Sequence, residues 1–197
     1  GLKVNTLAGM PCWAIGQAVT AMVGQNMGAQ KIERVKKITR AGLGLNLSIT
    51  LIVVILVQIF AKPVIMLFDP VSTDVIEDGI LYLRICCGAN SLIYAVMYTF
   101  DSFAIGTGSA NIAMVNALLD AVIVRLPVSW LLAFAAGIGF PGVYIGQAVS
   151  PFIPAVAGWF YFKSRGWENR GLTLKKTEQD KRQADGLEER AVERTDR

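Results

Sequence analysis

Two carboxylates and one guanidinium stand inside long uncharged runs of this chain: Asp101, Asp120 and Arg125. A charge at such a position is costly against hydrocarbon, so it faces a cavity or a partner. A carboxylate in a low-dielectric cavity can hold a proton, Na⁺ or an organic cation in turn, because its unpaired charge is costly there. That chemistry is cation exchange rather than bond making. Asn90, Tyr94, Met97, Tyr98 and Asp101 recur at spacings of three and four, which puts them on one face of a helix. Leu92, Ile93, Val96, Phe100 and Phe103 make the opposite face. Tyr94, Met97 and Tyr98 either offer π-faces and a soft sulfur to an organic cation or pack as an ordinary core. Asp101 is either a cavity carboxylate or a structural group that partners Arg125 or a helix end. Asn116 and Asp120 share a face one turn apart. Asp120 and Arg125 are five apart, roughly 140° around a straight α-helix, a poor pair unless Pro127 bends the helix. Asp120 is therefore either half of a buried ion pair or an ion-coupling group. Gln147 shares a further inward face with Tyr144, Pro151, Pro154 and Gly158.

Other chemistries are poorly served. There is no histidine, which excludes histidine ligands and proton relays. Cys12, Cys86 and Cys87 lie in apolar runs without a paired motif, and read as small apolar fillers rather than a zinc or disulfide pattern. No metal cluster and no nucleophile–base pair suggests an enzyme. The net charge of +4 comes from loops, and is not the footprint of a nucleic-acid binder.

The elements that position these groups follow from hydropathy. Hydrophobic residues make up 53% of the chain and charged ones 17%, and most charges are confined to residues 31–40 and the stretch after Lys163. A bilayer core about 30 Å thick needs ~20 mostly apolar residues per helix, and the chain offers several such runs. The fold expected is an all-α polytopic membrane protein with about five transmembrane helices, at residues 4–28, 38–61, 80–105, 111–135 and 143–162, making a helical lobe over residues 1–162. In the first, Gly16, Thr20, Gly24 and Gly28 form a stripe of small residues for close helix packing, Pro11 is placed to kink it, and Gln17, Gln25 and Asn26 are expected to point into a bundle. Lys62 and Pro63 mark the end of the second, an acidic loop at residues 64–79 follows, and turns at residues 106–109 and 137–142 separate the later helices. Trp159, Tyr161 and Trp167 suggest an interfacial aromatic belt. Residues 163–197 read as a charged, solvated cytoplasmic tail.

Lys31, Arg34, Lys36, Lys37 and Arg40, opposed only by Glu33, separate the first two apolar runs. Such a cluster resists translocation, so it is assigned to the cytoplasm. Alternation then puts the acidic loop outside and the C-terminus inside, in a multi-pass protein of the cell (inner or plasma) membrane. Five helices with the C-terminus inside, and a first residue other than Met, suggest a fragment with helices missing upstream.

Residues 23–30 read VGQNMGAQ, with Gly24, Gln25, Asn26 and Gly28, and are followed by Arg34 and a basic stretch. This resembles the corresponding segment of the multidrug and toxic compound extrusion (MATE) family. Gly106 and Gly108 resemble the Gly-x-Gly that closes the family's tenth helix, and Arg125 with Pro127 the Arg-x-Pro of its eleventh. In order and spacing these match helices eight to twelve of twelve. The resemblance implies most of a C-terminal six-helix lobe, whose partner N-terminal lobe is absent from the chain. It also implies export of small cationic organic compounds by alternating access, in exchange for Na⁺ or H⁺ and with no other cofactor. Some branches of the family have a functional Asp on this helix roughly where Tyr94 stands here, deeper than Asp101, a departure from the pattern. The candidate substrate- and ion-binding residues are Asp101, Asp120, Asn90, Tyr94, Tyr98, Asn116 and Gln147. Alternatives are a lipid-linked oligosaccharide flippase of the same superfamily, which would need a more cationic cavity, and a non-transporting membrane subunit.

Overall fold

The computed structural model describes residues 2–66, 73–135, 137 and 139–168, and every described element is helical. In chain order these are α1 (Leu2–Gly28), α2 (Ile32–Met66), α3 (Thr73–Cys86), α4 (Ala89–Gly106), α5 (Ala110–Leu118), a π-helical turn (Leu119–Arg125), α6 (Leu126–Trp130), a second π-helical turn (Leu131–Ala135), α7 (Phe140–Val149) and α8 (Phe152–Lys163). Among the described residues, three helices are long and apolar enough to cross a membrane: Ile32–Pro63, Ala110–Ala135 and Phe140–Lys163. A fourth span arises if the pair Gly79–Cys86 and Asn90–Gly106, bent by 45°, is counted as one. α1, of 27 residues, is not among these spans, so three to four apolar spans stand where five were expected.

Several boundaries differ from expectation for identifiable reasons. The basic cluster is helix, not loop. Gln30 takes a left-handed φ of 58°, and the Lys31 N–H reaches back to the Asn26 carbonyl at 2.9 Å, so the chain reverses within three residues and α2 starts at Ile32. Pro63 lies inside α2, which continues to Met66. A proline forfeits one backbone hydrogen bond, but in hydrocarbon helix is the state that satisfies the remaining ones. The expected acidic loop shrinks accordingly, and residues 67–72 lie outside the described residues. The third expected helix is broken at Gly88. A β-carbon there would sit 2.6 Å from the Arg84 carbonyl oxygen, and its ψ of −109° interrupts the helix between α3 and α4. The fifth is interrupted at Ser150 and Pro151, between α7 and α8.

α4 is the centre of the bundle, packed against α1, α2, α5 and α8. The small-residue stripe of α1 makes its closest approach. A β-carbon on Gly16 would strike the Tyr98 ring and the Ser102 Oγ, and one on Gly106 would lie 2.8 Å from the Thr20 carbonyl oxygen. The Thr20 hydroxyl donates to the Ser102 carbonyl at 3.0 Å. Gly28, the last member of the stripe, has open space beside it. Because α4 is covered on several sides, Phe100 and Phe103 are buried. A polar node joins three helices: the Asn46 side-chain amide, fully buried on α2, donates to the Thr99 hydroxyl at 2.9 Å, to the Ala95 carbonyl at 3.2 Å and to the Cys12 sulfur at 3.3 Å.

Trp167 is not part of an aromatic belt. It is fully buried in a cluster with Val19, Val23, Met27, Val35 and Phe103, stands edge-on to Phe103 at 5.0 Å between centroids, and donates its indole N–H to the Phe162 carbonyl. The expected tail therefore begins as a structured segment. Lys36 on α2 bridges Glu33 at 3.1 Å and Glu168 at 3.0 Å, which holds the start of α2 and the chain beyond α8 at one end of the bundle. Residues 169–197 lie outside the described residues.

The α1–α4 contact leads to an expected outcome. Gly106→Val, which forces branched carbons against the Thr20 backbone, should cost about 1–3 kcal/mol as overpacking does and lower the thermal unfolding temperature in detergent. Gly44→Ala, in open space on α2, should leave that temperature unchanged.

Candidate functional site

The rod Ala110–Ala135 carries the two charges that a regular helix could not pair. Residues Leu119–Arg125 form a π-helix, in which the repeat closes on the fifth residue rather than the fourth. Asp120 and Arg125 thereby come to lie one above the other, and the Arg125 Nη2 donates to the Asp120 Oδ2 at 2.8 Å. Pro127 supplies the reason for the wide turn. It has no N–H to give to the carbonyl four residues back, and its ring crowds that carbonyl. The bend that the sequence assigned to proline is thus realised as an inserted residue in the helical turn.

The pair is anchored further. The Arg125 Nε donates to the Ser150 Oγ at 3.3 Å, and that hydroxyl donates to the Gln147 carbonyl at 3.1 Å. The guanidinium thus ties the rod to the break between α7 and α8. Close approach there rests on Gly142 and Gly146 of α7, whose β-carbon positions are filled by the Leu132 and Ser129 backbones. Asp120 is buried, and its second oxygen, Oδ1, has no hydrogen-bond partner among the described residues.

Beside this pair lies a mostly polar cavity of about 190 Å³. Asn90, Tyr94, Arg125 and Gln147 line it, with Trp13 and Cys12 of α1 and Thr50 of α2. The Asn90 side chain is buried, and its carbonyl oxygen Oδ1 is unpaired among the described residues. Asn90 Oδ1, without a donor among the described residues, and a guanidinium already neutralised by Asp120 make an environment suited to a cation or to water rather than to an anion.

The remaining candidates fall elsewhere. The Asp101 carboxylate is buried and accepts a hydrogen bond from the Asn116 side-chain amide at 2.7 Å, in the contact of α4 with α5 and α8. Neither Asp101 nor Asn116 lines the cavity, and Asp101 is not the partner of Arg125. Tyr98 stacks on Tyr94 with centroids 6.1 Å apart and also packs over Gly16. Among the motif residues, Gly24 approaches the Gly106 carbonyl of α4 and Asn26 bonds its own helix at the Met22 carbonyl, while Gln25 is exposed. Gln17 is exposed as well, yet its side chain hydrogen-bonds Tyr98 of α4. Gly108 adopts a φ of 78° in the turn after α4, where the flanking Thr107 and Ser109 hydroxyls contact the Tyr161 hydroxyl at 3.2 and 2.6 Å.

Asn46, Ser150 and the Gly142/Gly146 pair were not singled out from the sequence. Thr39, Asn46 and Thr50 recur on one side of α2 and are all buried, and the spacing of Gly142 and Gly146 is the small-xxx-small signature of close helix contact. Both signals were available. Ser150 carries no such signal, because its role depends on the break that brings it to Arg125.

Comparison with known proteins places these features in context. A family model described as MatE matches residues 1–131. The chain is 28% identical over 174 residues to a probable multidrug resistance protein NorM of Thermotoga maritima, an alignment covering 87% of this chain and 37% of that relative. It is 25% identical over 186 residues to the probable multidrug resistance protein YoeA of Bacillus subtilis, covering 87% and 36%. Its fold superposes on the MATE transporter ClbM in complex with Rb⁺ with a TM-score of 0.78 at 24% identity, over 85% of this chain and 39% of that one. A MOP superfamily transporter of Pyrococcus furiosus, described as having a binding pocket of reversed polarity, superposes with a TM-score of 0.79 at 19% identity, over 86% and 37%. The chain spans less than two fifths of the length of these relatives.

The ion pair makes a distinct prediction. Asp120→Asn leaves the Arg125 guanidinium uncompensated, and breaking a buried pair this way costs about 3–5 kcal/mol. The Arg125 side chain is 36% exposed, so solvent screening should bring the loss to about 3 kcal/mol or below. Removing both charges in Asp120→Asn/Arg125→Gln should recover most of it. Thermal unfolding of the two variants and of Arg125→Gln, as a double-mutant cycle, measures the coupling.

Proposed function

Because the chain belongs to the MatE family, we propose that it forms most of the C-terminal lobe of a secondary active antiporter. In this reading the whole protein exports cationic or amphiphilic compounds in exchange for Na⁺ or H⁺ by alternating access, and catalyses no covalent chemistry. The observation that carries the reading is the polar cavity at the crossing of the membrane-length helices, where Asn90 Oδ1 has no donor among the described residues and the lining Arg125 leads to the buried Asp120. Buried acceptors in such a place are satisfied by a cation or a proton.

The arrangement favours Asp120 over Asp101 as the coupling carboxylate. Asp101 accepts from Asn116 through one oxygen and does not line the cavity, whereas Asp120 is held by a cavity-lining arginine and has a second oxygen without a partner among the described residues. A cation entering near Asp120 competes with Arg125 for the carboxylate, and release of Arg125 would loosen its hold on Ser150 and hence on the α7–α8 break. Tyr94 and Trp13 at the cavity offer aromatic faces to an organic cation. The exposed Gln25 of α1 is a polar group that an absent N-terminal lobe would partner. The basic start of α2 and the end of α8 lie at one end of the bundle, which agrees with a cytoplasmic C-terminus in a cell-membrane protein by the excess of Lys and Arg. A diphosphate-carrying flippase substrate is disfavoured, since the cavity's guanidinium is already neutralised by Asp120.

The test is efflux of a fluorescent organic cation from vesicles that hold the full-length protein, under imposed Na⁺ or H⁺ gradients. Asp101→Asn should retain gradient-driven efflux. The charge-neutral Asp120→Asn/Arg125→Gln variant, at matched amounts of folded protein, should lose it at least tenfold. No efflux by folded wild-type protein under either gradient would reject antiport, and loss in Asp101→Asn alone would move the coupling role to that residue.

A further inference from the structure

A second concavity lies apart from the polar cavity, on the outer surface where α2, α4 and α8 meet. Leu43, Ile93, Val96, Phe100, Val156 and Trp159 line it, with Phe152 and Ala155 at the same wall, and its volume is about 330 Å³. All eight are apolar, and the helices that carry them include two of membrane length. Along α8 the groove runs from Phe152 to Trp159, seven residues or roughly 10 Å at the α-helical rise, and its wholly apolar wall suits a hydrocarbon chain.

Charge identifies the other part of the occupant. Lys163 lies one turn beyond Trp159 on α8, with its ammonium 5.1 Å above the indole centroid. Arg40 lies one turn before Leu43 on α2. Both are exposed, neither pairs with a carboxylate among the described residues, and both lie toward the end of the bundle where Lys36 meets Glu168. Trp159 marks the level at which an indole sits between hydrocarbon and headgroups. We propose that this groove binds one acyl chain of an anionic phospholipid, whose headgroup phosphate is held between Lys163 and Arg40. Basic positions flanking an apolar cleft at the cytoplasmic surface recognise such headgroups. Occupancy would fill the seam between α2 and α8 and couple the lobe's packing to the anionic lipid content of the membrane. The inference rests on the membrane-spanning fold and not on antiport, so either can fail without the other.

The experiment uses the full-length protein in lipid nanodiscs doped with phosphatidylglycerol or phosphatidylcholine brominated on one acyl chain. The contribution of Trp159 to fluorescence quenching is the difference between the protein and its Trp159→Phe variant. Quenching by the phosphatidylglycerol should reach half its maximum at a mole fraction at least roughly fivefold lower than for phosphatidylcholine, the factor expected of one cation near a charged lipid surface. The double variant Arg40→Gln/Lys163→Gln should remove that preference and keep the maximal quenching. Val156→Phe, which occupies the groove, should lower the maximum for both lipids. Equal half-saturation for the two lipids, or a preference that survives the double variant, would overturn the proposal. So would the lack of any quenching of Trp159, which would mean that protein rather than lipid covers the groove.

Discussion

A guanidinium cannot stand alone among apolar helices, and much of the lobe's geometry can be traced to how Arg125 is satisfied. Its partner is five residues away on the same rod, a separation that an α-helix places on different sides. The π-helical turn Leu119–Arg125 removes that mismatch. The same guanidinium then reaches Ser150, where the chain breaks between α7 and α8. One side chain thus specifies a wide helical turn, a salt bridge and the docking of a broken helix. A pair of this kind is weak evidence for stability, because desolvation offsets attraction. Its value lies in fixing one arrangement.

The two carboxylates at membrane depth are therefore unequal, although composition alone makes them look alike. Asp101 accepts from Asn116 through one oxygen inside a helix contact, away from the cavity. Asp120 has a buried oxygen without a partner among the described residues, and its partner Arg125 lines the cavity. An ion-coupling group has to be costly in every state except the occupied ones. The difference follows from a single turn of π-helix and from which neighbouring helix presents an amide.

The ends of the bundle obey a different economy. Trp167, beyond the last helix, is driven into a cluster of five side chains from α1, α2 and α4, with its indole N–H satisfied by a backbone carbonyl. Lys36 draws Glu33 and Glu168 together over it. Charged residues that resist crossing the bilayer thus also fasten the helices at one end, which makes the start of α2 and the end of α8 a common base for the lobe.

Much of this was legible in the chain. The uncharged runs separated by Lys and Arg dictate membrane-length helices, because hydrocarbon leaves the backbone no other way to pair. The spacing of Gly16, Thr20 and Gly24 dictates a close helix contact, and the ordered motifs from Gly24 to Pro127 point to the family. What the tertiary structure alone decided is how the polar groups are divided. Whether Asp120 reaches Arg125 depends on hydrogen bonds closing at five residues rather than four. Whether Gln17 and Gln25 face inward depends on which neighbours are present. Whether Trp167 lies at a membrane surface or in a core depends on the path of the chain after α8. Local periodicity places a side chain on a face of its own helix, but the partner that the face meets is set by packing between segments far apart in sequence, and no spacing along one helix encodes it.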